Sequence, residues 1–204
     1  MKVLKFGGTS VANAKSLINV IDIITQSKEQ VVVVVSALGG ITNLLVEMSE
    51  RASTGQNNFK EHLETLENRH LNPIESFIPL THQSEIISFL KSQLNELEEV
   101  VESLFTLNEL TSKSLAKILS YGEILSSTII YNILKYKACD AVLKDSRELI
   151  FTYSIDDREI VNQKQSEKAT KAFLKKNNSK IILIPGFIAQ DDKGNTSTLG
   201  RGGS

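Results

Sequence analysis

Two short apolar runs, each followed by a glycine pair and a helical pattern, dominate the first part of the chain. Val3-Leu4 leads into Lys5-Phe6-Gly7-Gly8-Thr9-Ser10, after which apolar residues recur at helical spacing. The five valines 31–35 lead into Gly39-Gly40, and a second helical pattern begins at about Ile41. A continuous β-branched run is typical of a buried parallel strand. Two such units in succession therefore predict an α/β fold with a parallel sheet.

The rest of the chain first changes to a long helical pattern and then returns to strands. Polar, helix-period sequence at about 57–110, with Pro73 and Pro79 inside it, predicts two or three helices. Another long helix is predicted from about Thr111 to Lys135. We expect strands at 138–144, 149–152 and 180–184, a helix at 164–176 and a hairpin over 187–199.

The chain ends in Gly200-Arg201-Gly202-Gly203-Ser204, a glycine-rich segment of the kind that introduces a helix. We therefore expect 1–204 to be one lobe of a longer protein, truncated at its C-terminus.

Composition narrows the class of function. The 204 residues carry a formal net charge of −1 with 41% hydrophobic and 23% charged residues. These values are ordinary for a globular domain and do not favour nucleic acid or a membrane as a partner. The single cysteine, Cys139, leaves no internal disulfide and favours a cytoplasmic location. His62, His70 and His82 are not spaced like metal ligands, so we expect them at the surface and predict no metal site.

The first glycine turn is the strongest candidate for chemistry. Gly7 and Gly8 lack the Cβ atoms that keep ligands away from the backbone. Thr9 and Ser10 would add hydroxyls at the start of a helix that Ser10 or Asn13 could cap, and the free N–H groups of a helix start favour phosphate. Lys5 would add a positive charge there. The stretch matches neither of the common phosphate-binding glycine motifs, and a tight turn with nothing bound explains the residues equally well.

Three further polar residues are candidates because of where the pattern places them. Ser36 and Thr42 flank the second glycine turn, and carboxyl ends of parallel strands meet at one edge of a sheet, so we expect them beside Lys5. Glu123 follows Gly122 on the long helix and is surrounded by small residues. Periodicity alone favours an exposed glutamate there, and a carboxylate facing a polar cavity is the alternative.

Four segments in this order together resemble the aspartokinase family, most of all the bifunctional aspartokinase/homoserine dehydrogenases. The resemblance covers the whole chain. The segments are Lys5-Phe6-Gly7-Gly8-Thr9-Ser10-Val11, Val35-Ser36-Ala37 with Gly40-Ile41-Thr42-Asn43-Leu44-Leu45, Gly122-Glu123 with Leu125-Ser126-Ser127, and Pro185-Gly186-Phe187-Ile188 with Thr198-Leu199-Gly200-Arg201-Gly202-Gly203-Ser204.

The resemblance implies the amino-acid kinase (carbamate kinase-like) fold, a three-layer α/β/α sandwich around a mostly parallel sheet. It implies ATP-dependent phosphorylation of the β-carboxylate of L-aspartate, with Mg²⁺ on the phosphates, in a homo-oligomeric full-length protein. This reaction opens the route to lysine, threonine and methionine. Lys5 and Gly8 would be catalytic, and Lys5, Gly7, Gly8, Thr9 and Ser10 would contact the ATP phosphates. The residues that would surround aspartate are Ser36, Thr42, Glu123, Phe187, Arg201 and Ser204.

By the same resemblance, residues 1–204 form the N-terminal, amino-acid-binding part of the kinase domain. Most of the nucleotide site and any regulatory or dehydrogenase domains would lie beyond it. We therefore expect this chain alone to be a poor kinase or an inactive one.

Other interpretations remain open at this point. Another amino-acid kinase would use the same fold, and glutamate differs from aspartate by one methylene, worth only about 1–3 kcal/mol in a pocket. Arg201 with Glu123 suits a substrate with a free carboxylate and a free amine, which disfavours carbamate, nucleotides and N-acetylated substrates. A non-catalytic ligand-binding module is a third possibility, and a purely structural domain ranks last.

Overall fold

A four-stranded parallel sheet forms the frame of the protein. The computed structural model describes residues 1–156 and 158–200. The elements are β1 (Lys2–Phe6), α1 (Ala14–Thr25), β2 (Val31–Val35), α2 (Ile41–Ser53), α3 (Phe59–Phe77), α4 (Ser84–Leu107), α5 (Ser112–Tyr136), β3 (Ala141–Leu143), β4 (Thr152–Ile155), β5 (Arg158–Val161), α6 (Gln163–Lys176), β6 (Ile181–Pro185), β7 (Ile188–Gln190) and β8 (Thr196–Thr198).

The sheet has the strand order β1-β2-β6-β3, and every pairing in it is parallel. The two central strands, β2 and β6, are the continuous apolar runs of the sequence and are almost wholly buried. β1 lies at an edge and leaves Lys2, Val3 and Lys5 exposed. The predicted α/β fold with a mostly parallel sheet is confirmed.

The helices form a stack on the sheet. α5 packs on β2, β3 and β6, while α2, α3 and α4 pack on α5 and on one another. The long helix that the sequence predicts is α5, and Thr111 begins it with a capping box shared with Ser114. Two further hairpins, β4–β5 and β7–β8, are antiparallel. None of the helices in the described part of the chain is both long and apolar enough to cross a membrane.

Several expected boundaries are wrong for identifiable reasons. The two or three helices expected over 57–110 are confirmed as α3 and α4, but the break lies only at Pro79, because Pro73 lies inside α3 and is buried there. The strand expected at 149–152 is shifted, because Leu149 closes a 3₁₀ turn and β4 begins at Thr152. The partner of β4 in its hairpin is β5, Arg158–Val161. The sequence does not predict this strand, because its alternation of polar and apolar residues is short and its polar residues are charged.

His70 corrects the expectation that all three histidines are at the surface. It is fully buried on α3, where its Nδ1 lies 2.7 Å from the Leu66 carbonyl oxygen. Its Nε2 has no hydrogen-bond partner among the described residues. Burial lowers the pKa of the His70 imidazole to about 4, so the ring is neutral at physiological pH. His82 is exposed, as predicted, whereas His62 is only partly exposed, with 11% of its side-chain surface accessible.

The buried imidazole of His70 makes the free energy of unfolding depend on pH. Between pH 6.5 and 4 the unfolded chain binds more protons at His70 than the folded chain does, so the free energy of unfolding falls as pH falls. The shift corresponds to about 3 kcal/mol over that window. We expect His70→Asn, which does not titrate, to remove this contribution: in urea unfolding between about pH 4 and about pH 6.5, its free energy of unfolding should fall less with acid than that of the wild type. His82→Asn is the matched control, and an unchanged slope in His70→Asn would contradict the assignment.

Candidate functional site

The polar residues of interest lie where β1, β2 and β6 end. Beyond the strands the backbones stay paired: the Ser36 N–H donates to the Phe6 carbonyl at 3.1 Å, and the Gly186 N–H donates to the Val35 carbonyl at 2.7 Å. Three turns therefore leave the sheet side by side at its carboxyl edge. Ligands bind at this edge in parallel α/β sheets.

The two glycine turns touch each other. A Cβ atom on Gly8 would lie 3.3 Å from the Ala37 carbonyl oxygen, and one on Gly39 would lie 2.8 Å from the Ala12 Cβ. Gly40 begins α2 with a φ of 84°, a conformation that favours glycine. The expectation that Ser36 and the first turn lie at the same edge is confirmed, and Thr42 lies in the first turn of α2, which follows the second glycine turn.

Helix α5 approaches the second glycine turn closely. Gly122 makes this possible, because a Cβ there would lie 2.9 Å from the Ala37 Cβ. The buried Ser126 hydroxyl donates to the Ser36 carbonyl at 2.8 Å. The turn after β2 is thus fixed by side chains of α5 as well as by the sheet.

Glu123 is buried at this contact, with 2% of its surface exposed. Its Oε1 accepts a hydrogen bond from the Ala37 N–H at 3.2 Å, while Oε2 has no partner among the described residues. Burial raises the pKa of the Glu123 carboxyl to about 7, and the Ala37 N–H opposes that shift. The exposed-glutamate interpretation is therefore wrong, because the small residues around Glu123 let α5 pack against the turn.

Phe187 occupies a strained turn between β6 and β7. Its φ is 63°, and the Ile188 N–H donates to the Gly186 carbonyl at 2.6 Å across it. The Phe187 carbonyl accepts the Leu199 N–H at 2.8 Å, which ties the turn to the end of β8. A non-glycine residue at positive φ is costly and clusters at ligand sites, so this strain marks Phe187 as a candidate.

The segment after Gly8 differs from the expectation. Helix α1 begins at Ala14, capped by the Asn13 side chain, which accepts from the Ser16 N–H at 2.9 Å. Thr9 and Ser10 are exposed in the preceding turn, where the Ser10 N–H donates to the Gly7 carbonyl at 2.9 Å. Of the two caps that the sequence offers, Ser10 and Asn13, the structure uses Asn13, so Thr9 and Ser10 precede the helix and do not start it. Any anion bound at Gly7 and Gly8 would meet turn N–H groups.

The structure joins most of the described candidate residues into one region. Lys5, Gly8, Ser36, Glu123 and Phe187 all lie on or against the three neighbouring turns. Arg201 and Ser204 lie outside the described residues. Cation ligands are not gathered here: among the described residues no three of His, Cys, Asp and Glu come together. The N–H groups and the lysine suit an anion.

Sequence reasoning missed Arg69. This residue of α3 donates from Nη2 to the Ala12 carbonyl at 3.1 Å and to the Gly39 carbonyl at 2.6 Å. Its partners are main-chain carbonyls, which every residue has, so no pattern of side chains could have indicated the contact.

Comparison with known proteins identifies the family. The chain matches the amino acid kinase family over residues 1–204. It is 33% identical over 213 residues to the bifunctional aspartokinase/homoserine dehydrogenase of Buchnera aphidicola, covering 100% of this chain and 26% of that protein. It is 32% identical over 208 residues to lysine-sensitive aspartokinase 3 of Escherichia coli, covering 99% of this chain and 44% of that protein.

The crystal structure of E. coli aspartokinase III in complex with aspartate and ADP superposes with a TM-score of 0.88 at 26% identity, covering 100% of this chain and 44% of that one. This chain thus spans less than half the length of these relatives. The family match over the whole chain agrees with the parallel sheet and its glycine turns, and the chain belongs to the amino acid kinase family.

Proposed function

We propose that the full-length protein carrying this chain transfers the γ-phosphoryl group of ATP to the β-carboxylate of L-aspartate, giving 4-phospho-L-aspartate. The observation that carries the proposal is Glu123, a buried carboxylate whose Oε2 has no partner among the described residues. A carboxylate buried beside a ligand-binding edge suits a substrate ammonium, because an unpaired buried charge is costly. The proposal is supported by relatives that are aspartokinases and by a neighbour solved with aspartate and ADP.

The amino-acid end of the substrate would be held by opposite charges. Glu123 takes the α-ammonium through Oε2 while Oε1 stays bonded to the Ala37 N–H. Arg201 is proposed, on the resemblance, as the bidentate partner of the α-carboxylate. Ser36, Thr42, Phe187 and Ser204 would complete the aspartate pocket.

The reaction requires little proton transfer. The attacking β-carboxylate has a reference pKa of about 4, so it is ionised at neutral pH and needs no general base. The barrier comes from repulsion between this carboxylate and the polyphosphate, so catalysis consists of positioning and charge neutralisation. We assign these roles to Lys5 and to the N–H groups of the 7–10 turn.

Mg²⁺ is part of the same proposal as a companion of ATP. The turns offer N–H donors and an ammonium, which suit phosphate oxygens, so the metal would be held chiefly by the phosphates and water. When bound, it would neutralise charge on the transferring group.

The remaining assignments concern the full-length protein. We propose that this chain is its amino-acid-binding part, that most nucleotide contacts come from further residues, and that the protein is a cytoplasmic homo-oligomer. The chain's span of less than half of its relatives supports the division.

Glu123→Gln tests the role of the buried carboxylate. The amide keeps an oxygen for the Ala37 N–H but loses the charge that would bind the α-ammonium. We expect the KM for aspartate to rise about 10–100-fold, the range for a lost charged hydrogen bond, with little change in the KM for ATP. Glu102→Gln, on the exposed face of α4, is the control. An unchanged KM for aspartate in Glu123→Gln would refute the assignment.

The pH dependence of aspartate binding provides a second test. The pKa of the free Glu123 carboxyl is about 7, and only the ionised form pairs with an ammonium. Apparent affinity for aspartate should therefore fall about tenfold per pH unit below 7. The free energy of unfolding of the substrate-free protein changes with pH in the opposite direction to the affinity. Because the pKa of Glu123 in the folded chain lies above its ordinary value of 4.5, the folded chain loses this proton later than the unfolded chain, and unfolding becomes easier as pH rises from 4.5 to 7. Calorimetric titration of aspartate across this range measures the effect, and Glu123→Gln should abolish the dependence.

Lys5→Met tests charge neutralisation. We expect kcat to fall about 10²–10³-fold, as for loss of one donor to transition-state charge, with a small change in the KM for aspartate. Lys2→Met is the matched control, since Lys2 is an exposed lysine on the same strand that pairs with Glu29 at 3.6 Å. Equal kcat values in both variants would remove Lys5 from the mechanism.

A further inference from the structure

Arg69 joins two segments that are far apart in sequence. Its guanidinium reaches from α3 to the turn after β1, at the Ala12 carbonyl, and to the turn after β2, at the Gly39 carbonyl. The same nitrogen, Nη2, donates both hydrogen bonds, at 3.1 and 2.6 Å. One charged group therefore bridges the two glycine turns.

The bridge lies where the turns meet. A Cβ on Gly39 would come within 2.8 Å of the Ala12 Cβ and 3.0 Å of the Gly8 carbonyl oxygen. Van der Waals contact at this point prevents the turns from moving closer together. The Arg69 hydrogen bonds resist their moving apart, so contact and bridge together fix the spacing.

The other side of the second turn is held separately by α5. The Ala37 N–H donates to Glu123, and the Ser126 hydroxyl donates to the Ser36 carbonyl. These contacts orient the beginning of the turn, but neither reaches the turn after β1. Arg69 acts at the opposite end, on Gly39, and connects it to the neighbouring turn.

We propose that Arg69 is a positioning residue that sets the distance between the phosphate-binding turn and the amino-acid-binding turn. This inference rests on the proposed function, in which the 7–10 turn faces the phosphoryl group and the 36–42 turn faces the amino acid. Arg69 touches neither reactant. It acts through the two backbones, and its loss separates the attacking carboxylate from the phosphorus atom.

Arg69→Ala in the full-length enzyme is the test. We expect kcat to fall about 10–100-fold, because small misplacements of reacting groups carry penalties of that order. The KM values for aspartate and ATP should stay within about threefold, since each turn keeps its own ligand contacts. Guanidinium chloride added below denaturing concentrations should restore part of kcat, because a free guanidinium ion can bind where the Arg69 side chain has been removed.

Arg51→Ala is the matched control. It removes the same charge from a neighbouring helix, where Arg51 pairs with Glu47 at 2.6 Å. It should leave kcat unchanged and show no response to guanidinium. A wild-type kcat in Arg69→Ala, or a loss that guanidinium leaves unaltered, would overturn the positioning role.

Amide hydrogen exchange separates this inference from the proposed function. In Arg69→Ala, exchange should speed up in both 7–12 and 37–40, while Arg51→Ala should match wild type. If the wild-type enzyme phosphorylates no aspartate, the proposed function fails, and unchanged exchange would independently refute the bridge.

Should Arg69→Ala fail to fold by circular dichroism, Arg69→Lys replaces it. The lysine side chain ends one bond short of the position of Nη2, so its ammonium holds the two carbonyls less closely. A several-fold lower kcat is expected, and wild-type kcat would contradict the proposal.

Discussion

The hydrogen bond from the Ala37 N–H to the Glu123 carboxylate joins the carboxyl edge of the sheet to helix α5, and the site is built around it. A carboxylate with 2% of its surface exposed is unfavourable in the absence of a partner charge, which is why burial raises its pKa to about 7. One oxygen is satisfied by the backbone, and the other has no partner among the described residues. In the proposed reaction a substrate ammonium would supply the missing charge.

The site also depends on close approach between the backbones of neighbouring segments. Gly8, Gly39 and Gly122 each lie where a Cβ would come within about 3.3 Å of a neighbouring segment. Such spacing lets three turns and one helix share a small volume at the ends of β1, β2 and β6. Side chains then fix the arrangement from both sides, Ser126 and Glu123 from α5 and Arg69 from α3. The result is a stiff site with N–H groups and charges of both signs, which would suit the two mutually repelling substrates of the proposed reaction.

Strain and burial occur where function is proposed. Phe187 holds a φ of 63° between a central strand and a hairpin, and its carbonyl accepts the N–H of Leu199, one residue before the described residues end at Gly200. Strained turns persist where surrounding structure over-determines them, as the sheet does here. His70 is different: its Nε2 has no hydrogen-bond partner among the described residues, its neutral ring serves packing, and its titration lowers the stability of the fold as pH falls.

The sequence by itself determined the sheet and the helices, because the valine run 31–35, the 181–185 run and the α5 stripe carry their own periodicity. It also indicated Lys5, Ser36 and the glycine turns, since parallel strands must end at one edge. Only the tertiary structure decided that Glu123 is buried, that His70 is in the core and that Asn13 rather than Ser10 caps α1. Only the tertiary structure revealed Arg69, because its partners are backbone carbonyls. These features depend on which segments pack together, and packing partners distant in sequence leave no local pattern.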